Sequence, residues 1–246
     1  MYDPKGNGRD KSASSVRFTD VAPPSHLRHI VHRFLEIRTT GPLAEDYRFH
    51  ALPDACTYAV FDQINPSVTG ITRLCATSEE FNLGRVFHFV NIRFYPGVWQ
   101  HAGAPTVYGQ LKAPYEGKMA LIPLNEDLRR SDAPRKQKLL TGFVEGLAQA
   151  GHVAGNRITE KILRHIDDIR SVSDMAALCG LSARQLQRVL LHSTGFRPHD
   201  FLKVLRLQLS LSDEPSLSYA DQSHFIHSFR KATGYTPGRY ARKFDV

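Results

Sequence analysis

A chain of 246 residues, 41% of them hydrophobic, is long enough for one large domain or two ordinary ones, each with a buried core. Its formal net charge of +8 suits a polyanionic partner, nucleic acid before membrane. Three scattered cysteines, Cys56, Cys75 and Cys179, make no disulfide framework, and no apolar run reaches the ~18 residues of a membrane span, so a reducing cytoplasm is the expected setting.

In chain order, residues 1–15 are polar, rich in Gly, Ser and Lys, and without the apolar segment of a signal peptide; they read as a disordered tail. From Val16 to about Gly109 the stretches VRF, RFHAL, TYAVF and VFHFVNIRF carry β-branched and aromatic residues in partial alternation and predict strands. Ala22-Pro23-Pro24, Gly41-Pro42, Asn65-Pro66 and Pro96-Gly97 punctuate them. One early helix is expected over His26, Ile30 and Phe34, and Val86 to Phe94 reads as a buried strand. Ala113 to Ala133 blurs into loops and short helices. Pro134 opens a helix, since a missing N–H costs little in the first turn. Its apolar stripe, Leu139, Leu140, Phe143, Val144 and Leu147, suits a core or a dimer equally. Gly151–Asn156 reads as a linker and domain boundary. A helix from Arg157 sets Ile158, Ile162, Leu163 and Ile166 on one face, and most of the chain from there to Phe244 is helical. The expected fold is α+β in two domains: a β-rich domain over 16–133, a linker helix and linker over 134–156, and an all-α domain over 157–246.

The helical part contains a duplication. SARQLQRVLLHSTGFRPHDF (Ser182–Phe201) and DQSHFIHSFRKATGYTPGRY (Asp221–Tyr240) align without a gap at an offset of 39 residues. Leu186 pairs with Phe225, Leu190 with Phe229, Thr194 with Thr233, Gly195 with Gly234, Pro198 with Pro237, and Phe201 with Tyr240. Before the first copy, Ser173–Cys179 reads as a short helix capped at Ser173 or nearby and ended by Gly180. Ala177 is small where two helices approach. Ser182 then caps a helix with Leu186, Val189 and Leu190 inside and Arg184, Gln185, Gln187, Arg188 and His192 outside. Short helix, glycine turn and second helix form the helix-turn-helix pattern. Arg offers two hydrogen bonds to guanine and Gln two to adenine, so Arg184, Gln185, Gln187 and Arg188 are base-reading candidates, while Ser182 and the helix N-terminus are placed for a phosphate. In the second copy Gln222, Ser223 and His224 occupy matching outward positions. Arg230, Lys231, Arg239, Arg242 and Lys243 are candidate phosphate contacts, though for the last three a solvated C-terminal tail is the favoured reading.

LSARQLQRVLLHSTGFRP and YADQSHFIHSFRKATGYTPGRYARKF resemble the AraC/XylS family of bacterial transcription regulators, over about Val172 to Phe244. The resemblance implies a sequence-specific regulator with two helix-turn-helix units joined by a long helix. Recognition helices at about 182–193 and 221–233 would enter successive major grooves of double-stranded DNA, half-sites ~34 Å apart. LPDACTYAVF and VNIRFYPGVW resemble the β-rich sensor domains of such regulators, implying effector sensing or dimerisation; a small-molecule effector and a homodimer are the further partners to expect.

One departure stands out. Where the first unit has SDMAALCG, the second has SDEPSLSY (Ser212–Tyr219), and Pro215 does not suit a helix interior. The positioning helix of the second unit is thus expected to be missing, leaving Phe225, Phe229 and Tyr219 short of a packing partner. Two outcomes follow: a loosely held second unit, the favoured one, or a repacking of the helix from about Pro198 to Leu211 over the gap. His227 also stands where the family often has Arg. The departure motivates an alternative function, an interaction protein defective in DNA binding that dimerises with intact relatives and antagonises them.

No catalytic residue, cofactor or metal site is expected. His26, His29 and His32 share helical spacing without a Cys or carboxylate at ligand distance, and His50, His88 and His101 lack the spacing of a barrel metal site. Cys56 reads as a small core residue rather than a nucleophile. No phosphate-binding glycine loop and no G-x-S-x-G occurs.

Overall fold

The computed structural model describes residues 2–72, 74–100, 113–211 and 222–245, with Gln222 and His224 as backbone only. Among these residues eight strands come first: β1 (Asn7–Asp10), β2 (Val16–Val21), β3 (Val31–Thr39), β4 (Tyr47–Ala51), β5 (Thr57–Asp62), β6 (Thr69–Ile71), β7 (Glu79–Gly84) and β8 (His88–Phe94). Eight helices follow: α1 (Leu121–Arg129), α2 (Ala133–Gln149), α3 (Arg157–Arg164), α4 (Val172–Cys179), α5 (Ala183–Thr194), α6 (Pro198–Ser210), α7 (Gln222–Thr233) and α8 (Pro237–Lys243); the short strand β9 (Phe244–Asp245) comes last. The fold is α+β, with a β-rich region ahead of a helical one.

The strands form two antiparallel sheets, one ordered β2-β3-β8-β5-β6 and the other β7-β4-β1-β9. Alternation along a strand decides what each face meets. In β8, Val90, Ile92 and Phe94 join Phe34, Ala59 and Phe61 in a core closed by Leu121 and Leu128 of α1 and Leu140, Val144 and Leu147 of α2. Phe89, Asn91 and Arg93 point the other way, toward the second sheet. The α2 stripe therefore covers a sheet. Asp132 caps that helix, its Oδ1 accepting from Arg135 N at 3.0 Å.

Three sequence expectations give way here. The early helix is absent: Ser25–Leu27 makes one 3-10 turn, and Val31–Thr39 enters the sheet as β3. The helical spacing of His26, Ile30 and Phe34 is outweighed by the β-branched and aromatic residues of Val31–Thr39, which fit between β2 and β8. His26, His29 and His32 thus share no helix face; the first two are exposed and the third is buried. The N-terminal stretch read as a disordered tail carries β1 and a buried Tyr2, held because β1 pairs with β4 on one side and β9 on the other. Gly151–Asn156, read as a linker, is packed: Val153 is buried and bridged to Trp99, and Asn156 Nδ2 donates to Gly97 O at 3.1 Å.

The helical core gathers Ile162 and Leu163 of α3, Ile166 and Ile169 of the turn after it, Met175 and Ala176 of α4, Leu186 and Leu190 of α5, and Phe201, Leu202 and Leu205 of α6. Tyr2, Ala55 and Cys56 from the β-rich region complete it, so Cys56 is indeed a core residue. Among the described residues no helix is long and apolar enough to cross a membrane.

Candidate nucleic-acid interface

The first unit is built from its caps inward. Ser171, two residues before the expected cap, is the N-cap of α4, its Oγ accepting from Asp174 N at 3.1 Å. Gly180 ends α4 at φ +66°, a conformation that would strain any residue with a Cβ. Ala176 is the small residue buried between helices; Ala177, expected there, is exposed. Ser182 then caps α5 in a reciprocal box: Gln185 N donates to Ser182 Oγ at 3.3 Å, and Ser182 N donates to Gln185 Oε1 at 2.9 Å. With Leu186 and Leu190 fully buried, α5 is seated by its inner face and its outer face is set.

That outer face carries Arg184, Gln187, Arg188, Leu191 and His192, all exposed and lining one shallow surface. Among the described residues neither Arg184 nor Arg188 has an acidic partner, so both guanidiniums present unspent donors to solvent. Gln185 differs from expectation: its Oε1 is occupied by the Ser182 backbone and hydroxyl, so the side chain folds back on the helix N-terminus.

The second unit repeats the first. Helix α7 begins and ends 39 residues after α5, and α8 starts at the same offset from α6. Gly195 and Gly234 both lie in the left-handed region, at φ +71° and +78°. Thr194 Oγ1 donates to Leu190 O at 2.7 Å and accepts from Phe196 N at 3.2 Å; Thr233 Oγ1 donates to Phe229 O at 2.8 Å and accepts from Tyr235 N at 3.2 Å. Ser223, His227, Arg230, Lys231, Arg239, Arg242 and Lys243 are exposed. Ile226 joins them, an outward apolar residue that a core-seeking reading of the sequence passes over. Gln222 and His224 lie on α7, and their side chains are not described. Ser212–Tyr219 falls outside the described residues.

The expected exposure of Phe229 is not found: it is 2% exposed, packed with Leu207 and Leu211 at the end of α6, Tyr240, Phe244, and Leu52 from the β-rich region. Phe225 is half-buried against the same cluster. Among the described residues the cover is the end of α6 together with the β-rich region. His50 anchors this contact, its Nε2 donating to Thr233 O at 3.0 Å and its ring stacked on Phe244 at 5.0 Å. Ser78 N donates to Ala232 O at 2.7 Å, and β1 pairs with β9 through Arg9–Asp245 and Asp10–Phe244. Burial lowers the His50 pKa, favouring the neutral ring in this cage.

Between the two sheets lies a cavity of about 410 Å³ that no short motif in the sequence announces. Phe18, Leu35, Ile37, Phe49, Val60 and Phe89 supply apolar walls from both sheets. At one end sits Arg93, buried, with Nη1 donating to Pro4 O, Nε 3.9 Å from Asp54 Oδ2, and its guanidinium over the Tyr58 ring. Tyr58 Oη donates to Asp54 Oδ2. His32 accepts from Arg93 at Nδ1 (3.3 Å) and donates from Nε2 to Asp3 (2.8 Å); burial, then Arg93, lower its pKa to about 4. Among the described residues no cluster of three His, Cys, Asp or Glu can hold a metal ion.

No family model matches the chain, and no curated protein matches it. Among solved structures it is similar to ToxT from Vibrio cholerae strain SCE256. An apo variant of that protein gives a TM-score of 0.41 at 12% identity, covering 93% of this chain and 97% of that one. The wild type bound to an unsaturated fatty acid gives 0.42 at 11% identity, covering 99% and 98%.

Proposed function

We propose that this chain is a cytoplasmic, sequence-specific DNA-binding transcription regulator of the AraC/XylS type. Helix α5 enters a major groove, and α7 reads a second half-site on the same face of the duplex. The β-rich region, ending near Gly151–Asn156, senses a small molecule in its inter-sheet cavity. One observation carries this reading: the capped α4–turn–α5 unit buries Leu186 and Leu190 while leaving Arg184 and Arg188 exposed on the opposite face. A solvated helix face would serve equally well with acidic partners interspersed; this one has none among the described residues. In this reading Arg184, Gln187 and Arg188 reach bases, Ser182 and the first turn of α5 meet a phosphate, and Ser223, Arg230 and Lys231 act in the second unit. The cavity suits an effector with an apolar body, given its aliphatic and aromatic walls.

Titration of the full chain against genomic fragments at two salt concentrations tests the proposal. A regulator binds selected fragments below micromolar and loses affinity steeply as salt rises. Arg188→Ala should cost about 1–3 kcal/mol on a selected fragment if it reads a base. Salt-insensitive or absent binding, together with capture of intact relatives through the β-rich region, would instead support the antagonist reading.

A further inference from the structure

The two copies are equivalent in shape and different in what they show to solvent. Because α5 and α7 share helix bounds, a left-handed glycine after the last turn and the buried pairs Leu190/Phe229 and Thr194/Thr233 at an offset of 39 residues, outward positions can be compared one to one. Gln187 corresponds to Ile226, and Leu191 to Arg230. All four are exposed, Leu191 and Ile226 at 39% each. The same two places, one helical turn apart, therefore carry amide then aliphatic in α5, and aliphatic then guanidinium in α7.

Ile226 is not a misplaced core residue. The inner face of α7 is made by Phe225, Phe229 and Ala232, and Ile226 stands with Ser223, His227 and Arg230. It offers no hydrogen bond, and its branched Cβ leaves it stiff at χ1 in a helix. On the floor of a major groove the one feature complementary to such a group is the C5 methyl of thymine. We propose that Ile226 is a specificity-determining residue of the second unit, packing on a thymine methyl where Gln187, its counterpart in the first, hydrogen-bonds a base. The inference rests on the DNA-binding reading above and deepens it by assigning one side chain the choice of one base.

The test uses a duplex selected by the full chain from a random library, with each thymine replaced singly by deoxyuridine, which lacks only the methyl. One replacement in the second half-site should weaken binding about fourfold, the worth of one buried methyl group. Ile226→Ala should lose a similar factor on the thymine duplex and become indifferent to deoxyuridine at that position, while Arg188→Ala binds more weakly yet keeps the methyl effect. Ile226→Gln, which installs the residue of the first copy, should move the preference there from thymine toward adenine. An unchanged melting temperature for the exposed substitutions separates these effects from misfolding. If no thymine in the second half-site responds, or the response survives Ile226→Ala, the assignment of Ile226 is overturned with DNA binding intact. Failure to select any duplex removes the DNA-binding reading itself, and this inference with it.

Discussion

Two buried threonines show how single residues hold the repeat together. The Thr194 and Thr233 hydroxyls each close a helix by donating to the carbonyl four residues back and accepting the amide two residues on. Thr194→Val keeps the shape and strips both bonds, leaving a buried amide unpaired; a loss of about 1–3 kcal/mol in urea denaturation is expected. His32 sets a pH dependence. Its folded pKa of about 4 lies below the ordinary 6.5, so the folded state favours the neutral ring. Its contribution is complete above pH 6.5 and is lost as pH falls through 4, about 3 kcal/mol in all. Burial is the chief cause of the sign, and the geometry adds to it, because protonation would set an N–H at Nδ1 against the Arg93 guanidinium. His32→Gln should flatten this limb of the stability curve without abolishing it, since burial lowers His50 as well. Glu36 acts in a lower window. A hydrogen bond from His88 is the chief influence holding it to about 2, with Lys136 assisting against burial, so its share disappears only below pH 4.5.

At the scale of elements, what the sequence made legible follows from how local each signal is. Helix α5 is legible to within a residue because Ser182, Gln185 and Gly195 are local punctuation whose chemistry acts within a few residues. Strands β4, β5 and β8 were visible for the same reason, in runs such as Thr57–Phe61. Val31–Thr39 was misread near its start because its identity as a strand depends on β2 and β8, whose pairing no local spacing encodes. Strand β1 was missed because Asn7, Gly8, Arg9 and Asp10 have no strand propensity; their partners arrive from Ala51 and from Asp245, at the far end of the chain. Gln185 was read as a base contact because sequence alone cannot say whether an outward amide near a helix start faces solvent or its own cap. The cap itself is testable: Ser182→Ala should cost about 1 kcal/mol, and Ser182→Gly only a few tenths, by chemical denaturation.

At the scale of the molecule, β1 joins the inter-sheet cavity to the end of the second unit. Asn7 and Arg9 line the inter-sheet cavity, Asn7 and Gly8 pair with β4, and Arg9 and Asp10 pair with β9 at the end of the second unit. One short strand therefore touches the candidate effector site and the platform beneath α7. Gly8 marks the tightest point of that contact. A Cβ there would collide with the Tyr240 hydroxyl and sit 2.9 Å from Cγ of the Phe244 ring. Both side chains are buried, so neither has free space to retreat into. Gly8→Ala should thus drive β9 and α8 away from β1, at a cost of about 1–3 kcal/mol for overpacking. The first unit packs around Leu186 and Leu190 in a separate core and should be spared. Hydrogen exchange in the full chain distinguishes this from general destabilisation: amides of α7 and α8 should exchange faster while those of α5 keep their protection. Equal acceleration in both helices would mean that the second unit is not held by the β-rich region in the way its contacts at His50, Ser78 and Asp245 require.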